Sequence, residues 1–185
     1  VLEWAIANLH NQKPNNIISF SSKTVPVLAI LRKNLFDNKN TQIIYNGEFP
    51  NYFNAEVIKS VYGYKFELIK LDDVKDISSF NGSTVFVTEQ NDICNFDLKL
   101  NADFYINVHP HIGSMLLVNG TKNESYVSDI QHVRRRETIA MTPINSLKAL
   151  KILIDSSNIE IKDNNVKTNK KTVTDSIKEV TGSNT

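Results

Sequence analysis

Residues 84–118 read TVFVTEQNDICNFDLKLNADFYINVHPHIGSMLLV, and this stretch decides the fold. It contains three short apolar runs, 84–88, 103–108 and 113–118, each of which is typical of a buried strand. Only residues 109–112 join the last two runs, so we expect these two to pair antiparallel, because a parallel pair needs a much longer crossover. The stretch therefore predicts a buried sheet with one antiparallel strand.

The chain before this stretch alternates helices with strands. Apolar residues at helical spacing predict a helix over 2–11, and residues 17–20 (IISF) suit a buried strand. Ser21 and Ser22 can cap a following helix that has Pro26 in its first turn. The same unit repeats as a strand at 42–45, a helix at 54–61 and a strand at 65–71. Strands separated by helices indicate right-handed crossovers and a parallel sheet.

The C-terminal part contains one more helix and then changes in composition. Thr142-Pro143 opens the helix, and after Asp155 the chain becomes rich in Asn, Lys, Thr, Asp and Ser. We therefore predict an α/β domain over 1–155, built as three α/β/α layers around a mostly parallel sheet with one antiparallel strand. Residues 156–185 are predicted to be a polar tail, in which Val173, Ile177 and Val180 could lie on one short helix.

The bulk composition excludes several functional classes. The 185 residues include 21 Lys plus Arg and 20 Asp plus Glu, so the net charge of +1 provides no basic surface for nucleic acid. No window approaches 18 apolar residues, so we expect no membrane span and no membrane partner. Cys94 is the single cysteine, which rules out an intrachain disulfide and favours a cytoplasmic location.

Ligands of open parallel sheets bind beyond the carboxyl ends of the strands, and this rule selects four segments. In the first, Ser21, Ser22, Lys23 and Thr24 lie between a strand and a helix N-terminus, where backbone N–H groups suit an anion. In the second, residues 48–52, Tyr52 could stack on a planar ligand. Helix capping and a Pro-containing turn are the respective structural alternatives.

The other two segments carry groups for acid–base chemistry. Residues 88–92 place Glu89 and Asn91 after a buried strand, and residues 109–113 place His109 and His111 in a turn. The structural alternatives are a solvated loop and two histidines with hydrogen-bond partners. No third ligand accompanies the two histidines in sequence, so we predict no metal site.

Arg134-Arg135-Arg136 forms a basic cluster before the last helix, and one of these guanidinium groups could bind a carboxylate or phosphate bidentately. A solvated basic turn is the alternative. Cys94 has no activating base nearby in sequence and is predicted to be structural. The sequence lacks the GxGxxG, GxxxxGK[ST] and GxSxG motifs of dinucleotide-binding, P-loop and hydrolase proteins.

The order of these segments resembles the large domain of pyridoxal-phosphate (PLP)-dependent transferases of fold type I, with most likeness to the class V aminotransferase and cysteine desulfurase branch. The resemblance covers about residues 1–154. Residues 17–31 (IISFSSKTVPVLAIL) are similar to the family's strand and phosphate-binding turn, residues 100–120 to its "GADFxxxSxHKxxGGPxGxGxLxV" segment, and residues 134–153 to the entry of its interdomain helix.

The resemblance implies roles for particular residues. Ser21, Ser22, Lys23, Thr24, Tyr52 and Asn91 would be cofactor-binding residues, and Arg136 would bind the substrate. The sequence departs from the family where the chemistry matters. The Schiff-base lysine would follow His109, where this chain has Pro110, and no lysine occurs between Lys99 and Lys122. The strand with the Asp partner of the pyridine nitrogen, and the helix before it, are missing between Asp92 and Phe96.

Three functional hypotheses follow from the likeness and the departures. The first is a degenerate, non-catalytic relative that acts as a binding or regulatory subunit, with a phosphate-bearing small molecule as its ligand. The second is an active PLP-dependent transferase completed by a partner chain, so that the chain belongs to a homo- or hetero-oligomer. The third is an unrelated α/β enzyme that uses a carboxylate and histidine site formed by Glu89, Asp92, His109 and His111, for example with a metal. Its candidate catalytic residues are Glu89, His109 and His111.

Overall fold

The computed structural model of the chain describes residues 1–49, 53–71 and 80–156. Tyr52 and the predicted tail, with its short helix at Val173, Ile177 and Val180, lie outside the described residues. The division into a domain over 1–155 and a tail therefore stays a prediction.

The described residues form one sheet of six strands. Five of them run parallel, and β6 runs antiparallel to both of its neighbours. The strand order is β1-β6-β5-β4-β2-β3. The strands are β1 (Ile17–Phe20), β2 (Thr41–Asn46), β3 (Phe66–Lys70), β4 (Ser83–Glu89), β5 (Phe104–His109) and β6 (Gly113–Val118).

Helices cover both faces of this sheet and complete the predicted three layers. The helices are α1 (Leu2–Leu9), α2 (Val25–Phe36), α3 (Ala55–Tyr62), α4 (Glu124–Arg136) and α5 (Pro143–Ser156). Helices α2, α3 and α4 pack on one face, and α1 and α5 pack on the other. The central strands β4, β5 and β6 are buried on both faces, as the continuous apolar runs predicted.

Most of the predicted elements are confirmed to within two residues, but α4 was missed. Only Tyr126 and Ile130 of this helix are buried, so its apolar signal is weak in the sequence. The interpretation of Arg134-Arg135-Arg136 as a basic turn was wrong, because these residues form the last turn of α4. Cations there are favoured by the negative end of the helix dipole.

The connection between β4 and β5 is irregular throughout. Residues 90–103 form neither a helix nor a strand, although they join two parallel neighbours that usually require a crossover helix. This agrees with the expectation that a helix and a strand are missing here. The absence of a helix and a strand between β4 and β5 leaves no open sheet edge there, because these two strands pair directly. The edge strands are instead β1 and β3, and association with another chain stays a prediction.

One partly buried acid, Glu3, ties three elements together near the start of the chain. The Glu3 Oε1 atom accepts hydrogen bonds from the Ser19 N–H and the Ser19 hydroxyl, both at 2.8 Å. The Arg134 guanidinium donates to the same oxygen at 2.5 Å and to the Ser19 carbonyl at 3.2 Å. This network joins α1, β1 and α4. Among the described helices, none is long and apolar enough to cross a membrane.

A close approach between Gly113 and β1 generates the first prediction. Gly113 has a φ of +135°, and a Cβ atom added to it would lie 2.1 Å from the Phe20 carbonyl oxygen. We expect Gly113→Ala to lower the free energy of unfolding by at least about 3 kcal/mol, because backbone strain and a backbone clash coincide. Urea denaturation measures this loss.

Gly47→Ala is the matched control. Gly47 also has a positive φ, +79°, but among the described residues no neighbour lies within 4 Å of an added Cβ. This variant should lose only about 1 kcal/mol, from the left-handed backbone alone. Equal losses in the two variants would contradict the importance of the contact with Phe20.

Candidate ligand site at the carboxyl edge of the sheet

The turn after β1 is held by two serine hydroxyl groups. The Ser22 hydroxyl accepts the N–H groups of Thr24 at 3.4 Å and Val25 at 3.2 Å, so it caps the start of α2. The Ser114 hydroxyl donates to the Ser22 carbonyl at 2.5 Å and ties the turn to β6. Ser22 therefore has the capping role that the sequence offered as the structural alternative.

The two histidines of the loop between β5 and β6 lie side by side. The His109 Nδ1 atom accepts the backbone N–H of His111 at 3.0 Å, and the two ring centroids are 6.1 Å apart. Because Nδ1 is the acceptor, the neutral His109 ring carries its proton on Nε2. The loop therefore presents one oriented N–H donor and one exposed imidazole at the edge of the sheet.

Lys23, Glu89 and His111 surround His109 closely enough to affect its titration. Burial of the ring lowers the pKa of His109 below its usual 6.5, and the charges of His111 and Lys23 lower it further. The Glu89 carboxylate acts in the opposite direction. The structure thus brings together Lys23, Glu89, His109 and His111, which we call the His109 cluster. Its central imidazole is neutral at pH 7 and can accept a proton.

Ser21 and Asn91, two other candidate residues, form no hydrogen bond to the His109 cluster within the described part of the chain. The Ser21 side chain is exposed, and its backbone N–H donates to the Ile139 carbonyl at 2.9 Å. Asn91 is exposed in the loop after β4. Their cofactor-binding roles stay predictions.

Arg136 lies at the end of α4 and pairs with the neighbouring Glu137 carboxylate at 2.6 Å. It also lines a groove between α2 and α4. Among the three consecutive arginines, Arg134 is the one that reaches a carboxylate on another element, Glu3. The substrate-binding role of Arg136 stays a prediction.

Cys94 lies in the connection between β4 and β5 and is fully buried. Burial raises the pKa of its thiol to about 12, so the sulfur is a neutral thiol at pH 7. Its backbone N–H donates to the Asp92 carboxylate at 3.2 Å, and its Sγ donates to the Ala149 carbonyl at 3.5 Å. These contacts agree with the predicted structural role.

A cavity of about 800 Å³, which the sequence did not predict, lies on the face covered by α1 and α5. Asn46, Thr88 and Asn107 form a row across β2, β4 and β5 at the carboxyl ends of these strands. This row becomes visible only once the strand register is known, because the three residues are far apart in sequence. The cavity is lined by Asn46, Leu71, Phe86, Thr88, Gln90, Asn95, Phe96, Asp97, Leu98, Lys99, Leu100, Tyr105 and Asn107.

Potential metal ligands are not clustered among the residues that the structure describes. Within this part of the chain, no group of three or more His, Cys, Asp and Glu side chains is arranged to hold a metal ion. His109 and His111 therefore have no third protein ligand among the described residues.

Comparison with known proteins gives a likeness of fold alone. No family model matches the sequence, and no curated protein matches it. A solved structure described as an L-allo-threonine aldolase from Listeria monocytogenes matches with a TM-score of 0.51 and 12% identity, over 84% of this chain and 56% of the aldolase. This likeness confirms the predicted fold class, an α/β domain resembling the large domain of PLP-dependent transferases.

Two further solved structures match less well. An L-threonine-O-3-phosphate decarboxylase from Porphyromonas gingivalis has a TM-score of 0.49 and 10% identity, over 83% of this chain and 57% of that one. A PLP-dependent cyclase has a TM-score of 0.44 and 10% identity, over 83% and 54%. The chain thus spans about half the length of these proteins. The class V branch and the degenerate character stay predictions.

Covalent binding of PLP at this edge of the sheet would require an amine. The loop from His109 to Gly113 contains no amine that could form a Schiff base. These described residues do not fit a cofactor bound covalently at this loop, so we derive no chemical step through it.

The surroundings of His109 predict a pH dependence of stability. The native pKa is below that of the unfolded chain, so the unfolded chain binds the proton more readily. We expect the full contribution of His109 to the free energy of unfolding above about pH 6.5. This contribution is lost as the pH falls through the lower pKa that His109 has in the folded chain. His109→Asn should flatten this decline, because the amide oxygen still accepts the His111 N–H but does not titrate.

Thermal unfolding between about pH 5 and pH 8 measures the effect. His132→Asn, on an exposed position of α4, is the matched control. If the melting temperatures of both variants fall with decreasing pH as that of the unmodified chain does, the proposed environment of His109 is contradicted.

Proposed function

We propose that this chain is a non-catalytic relative of PLP-dependent enzymes that binds a small phosphate-bearing ligand and acts as a binding or regulatory subunit. The observation that supports this most is the loop between β5 and β6. It carries two imidazoles and no amine, and it lies beside Lys23 and Glu89. The loop itself has hydrogen-bonding groups but no group for a Schiff base, and the amine beside it is that of Lys23.

The charges around the loop support an anionic ligand. Lys23 lies near His109 in the turn before α2, and Ser22 and Thr24 add hydroxyl groups there. The dipole of the twelve-residue helix α2 favours negative charge at the same place. Glu89 is the opposing acid, so a ligand with both a phosphate and a hydrogen-bond donor matches the cluster better than phosphate alone.

Two alternatives retain specific support. An active transferase completed by a partner chain is supported by length, because this chain spans 56% of the aldolase with the same fold. An unrelated α/β enzyme is supported by His109, since a neutral imidazole beside the Glu89 carboxylate is a suitable general base. In both alternatives the His109 cluster would contain the reacting groups.

A reduction experiment separates the proposal from the first alternative. The full chain is mixed with PLP, the near-visible spectrum is recorded, and borohydride then fixes any Schiff base for peptide mass analysis. We expect no stoichiometric adduct on a single lysine, Lys23 included, because the β5–β6 loop has no amine at the position where the resemblance would put the Schiff-base lysine. Reduction at one specific lysine would contradict the non-catalytic proposal and favour the active enzyme, provided that the adduct does not form when the protein is unfolded before PLP is added.

Phosphate titration tests the residues of the turn. Ser22→Ala and Thr24→Ala should each weaken binding of inorganic phosphate about fivefold, the effect of losing one hydrogen bond of about 1 kcal/mol. Calorimetry measures the binding, and thermal unfolding shows how much stability Ser22→Ala loses with its helix cap. The control is Ser60→Ala on the exposed helix α3. Binding that is unchanged in both variants would remove the turn from the site.

A further inference from the structure

We propose that the surface beside the end of α3 is a docking site for an acidic, amphipathic segment of another protein. We call it the α3 surface. It lies at the amino edge of the sheet, because α2 ends just before β2 begins and α3 ends just before β3 begins. The His109 cluster lies at the carboxyl edge, so this proposal goes beyond the function proposed above. The residues of the α3 surface are Arg32, Phe36, Lys59, Val61, Tyr62 and Tyr64.

Large apolar and aromatic side chains are exposed at the α3 surface. Phe36 is 73% exposed, Val61 67% and Tyr62 57%. A single exposed side chain of this kind is ordinary, but a group of them marks an interaction site. Helix α3 has no fully buried residue, so one side of it has no packing partner among the described residues. A partner segment would therefore bury apolar area here.

The side chains of the α3 surface are continuous from α2 to α3. The Arg32 guanidinium lies over the Phe36 ring, 5.7 Å from its centroid. Burial raises the pKa of Tyr64, and the charge of Arg32 is near enough to oppose this shift. The Tyr64 ring stacks on the Tyr62 ring, with the centroids 5.5 Å apart and the planes at 14°. Lys59 and Tyr64 line one depression of about 380 Å³. One partner segment can therefore contact all of these residues.

Three cations at this surface have no acidic partner in the described part of the chain. Arg32, Lys59 and the adjoining Lys65 form no ion pair there. Glu67 lines the same depression as the two lysines but pairs with neither of them. Glu56 lies at the other end of α3, where the helix dipole favours an acid. Carboxylates of a partner would complement the three cations.

Charge and composition together select the partner. Tyr, Phe and Arg are enriched where proteins contact each other, and exposed apolar side chains gain from burial against a partner's apolar groups. A second copy of this chain fits less well, because a two-fold contact would bring the unpaired cations of two identical surfaces together. Single-stranded nucleic acid needs free ring faces for stacking, whereas Tyr62 and Tyr64 cover each other and Arg32 covers Phe36.

Fluorescence anisotropy of the full 185-residue chain with labelled synthetic peptides tests the proposal. The probe is a helical peptide of about 15 residues with Leu at i, i+3, i+4 and i+7 and Glu on the remaining face. Two matched control peptides replace every Glu by Gln or every Leu by Ser. We expect saturable one-to-one binding of the acidic peptide, weakened by added salt, and binding of each control that is weaker by at least about tenfold.

Variants of the chain separate the polar and apolar contributions to binding. Arg32→Gln and Lys59→Gln should each weaken binding of the acidic peptide about threefold, a typical effect of one exposed ion pair. Phe36→Ser should weaken it about fivefold without lowering the melting temperature, because most of this ring is exposed. Leu147→Ser and Lys148→Gln are the matched controls, since both residues are exposed on α5, and these variants should bind as the unmodified chain does.

Reversal of the charges gives a test that loss of binding alone does not. The double variant Arg32→Glu, Lys59→Glu should lose the acidic peptide and bind a version of the peptide with Lys in place of every Glu. If this variant does not fold, two-dimensional NMR of the unmodified chain decides the case. The amide signals of Val61, Tyr62 and Tyr64 should then shift when the acidic peptide is added.

The proposal is overturned if the acidic peptide does not bind saturably, if the Gln peptide binds as tightly, or if the amide signals of the α3 surface stay in place. Tighter binding of a single-stranded oligonucleotide would overturn it in favour of nucleic acid. A dimer seen by light scattering and abolished by Arg32→Glu, Lys59→Glu would assign the surface to a second copy of the chain. Failure of phosphate binding at Ser22 and Thr24 would leave these outcomes unaffected, because those residues lie at the carboxyl edge of the sheet.

Discussion

The close contact between Gly113 and the Phe20 carbonyl is the constraint on which the arrangement of loops at the carboxyl edge of the sheet depends. It allows β6 to run antiparallel between β1 and β5, with Phe20 paired to Ser114 and His109 paired to Gly113. A side chain at residue 113 would push these strands apart. Because the strands stay together, the turn after β1 and the loop after β5 meet, and Lys23 comes close to His109. The His109 cluster thus depends on one backbone contact.

The two faces of the sheet differ in how they are covered, and the difference explains where space remains. On one face, α2 and α4 pack against each other and bury Ile30 and Ile130 completely. On the other, α1 and α5 cover the side of β1 and β6, while residues 95–100 lie over β4 and β5. Irregular chain fills a sheet face less completely than a helix does. The cavity lined by Asn46, Thr88 and Asn107 lies where this substitution occurs.

The sequence predicted the sheet well because its buried strands are short apolar runs bounded by polar residues. The four-residue link from His109 to Ile112 even determined which strand would be antiparallel. Helix α4 escaped prediction because it buries only Tyr126 and Ile130, a pattern too sparse to stand out. The row of Asn46, Thr88 and Asn107 could not be foreseen either, since it depends on the register of three strands. Sequence patterns report which residues are buried, whereas sites depend on which buried strands become neighbours.

The irregular connection between β4 and β5 also affects the entropy of forming the sheet. Val85 pairs with Phe104 across 104 − 85 = 19 residues, whereas Ile17 of β1 and Leu117 of β6 are 117 − 17 = 100 residues apart. Loop-closure entropy makes the longer pairing less favourable by about 1.5 kcal/mol. The central pair of strands is therefore among the easiest long-range contacts to make. The first strand of the chain is among the hardest to place, although the Lys23 side of the candidate site depends on it.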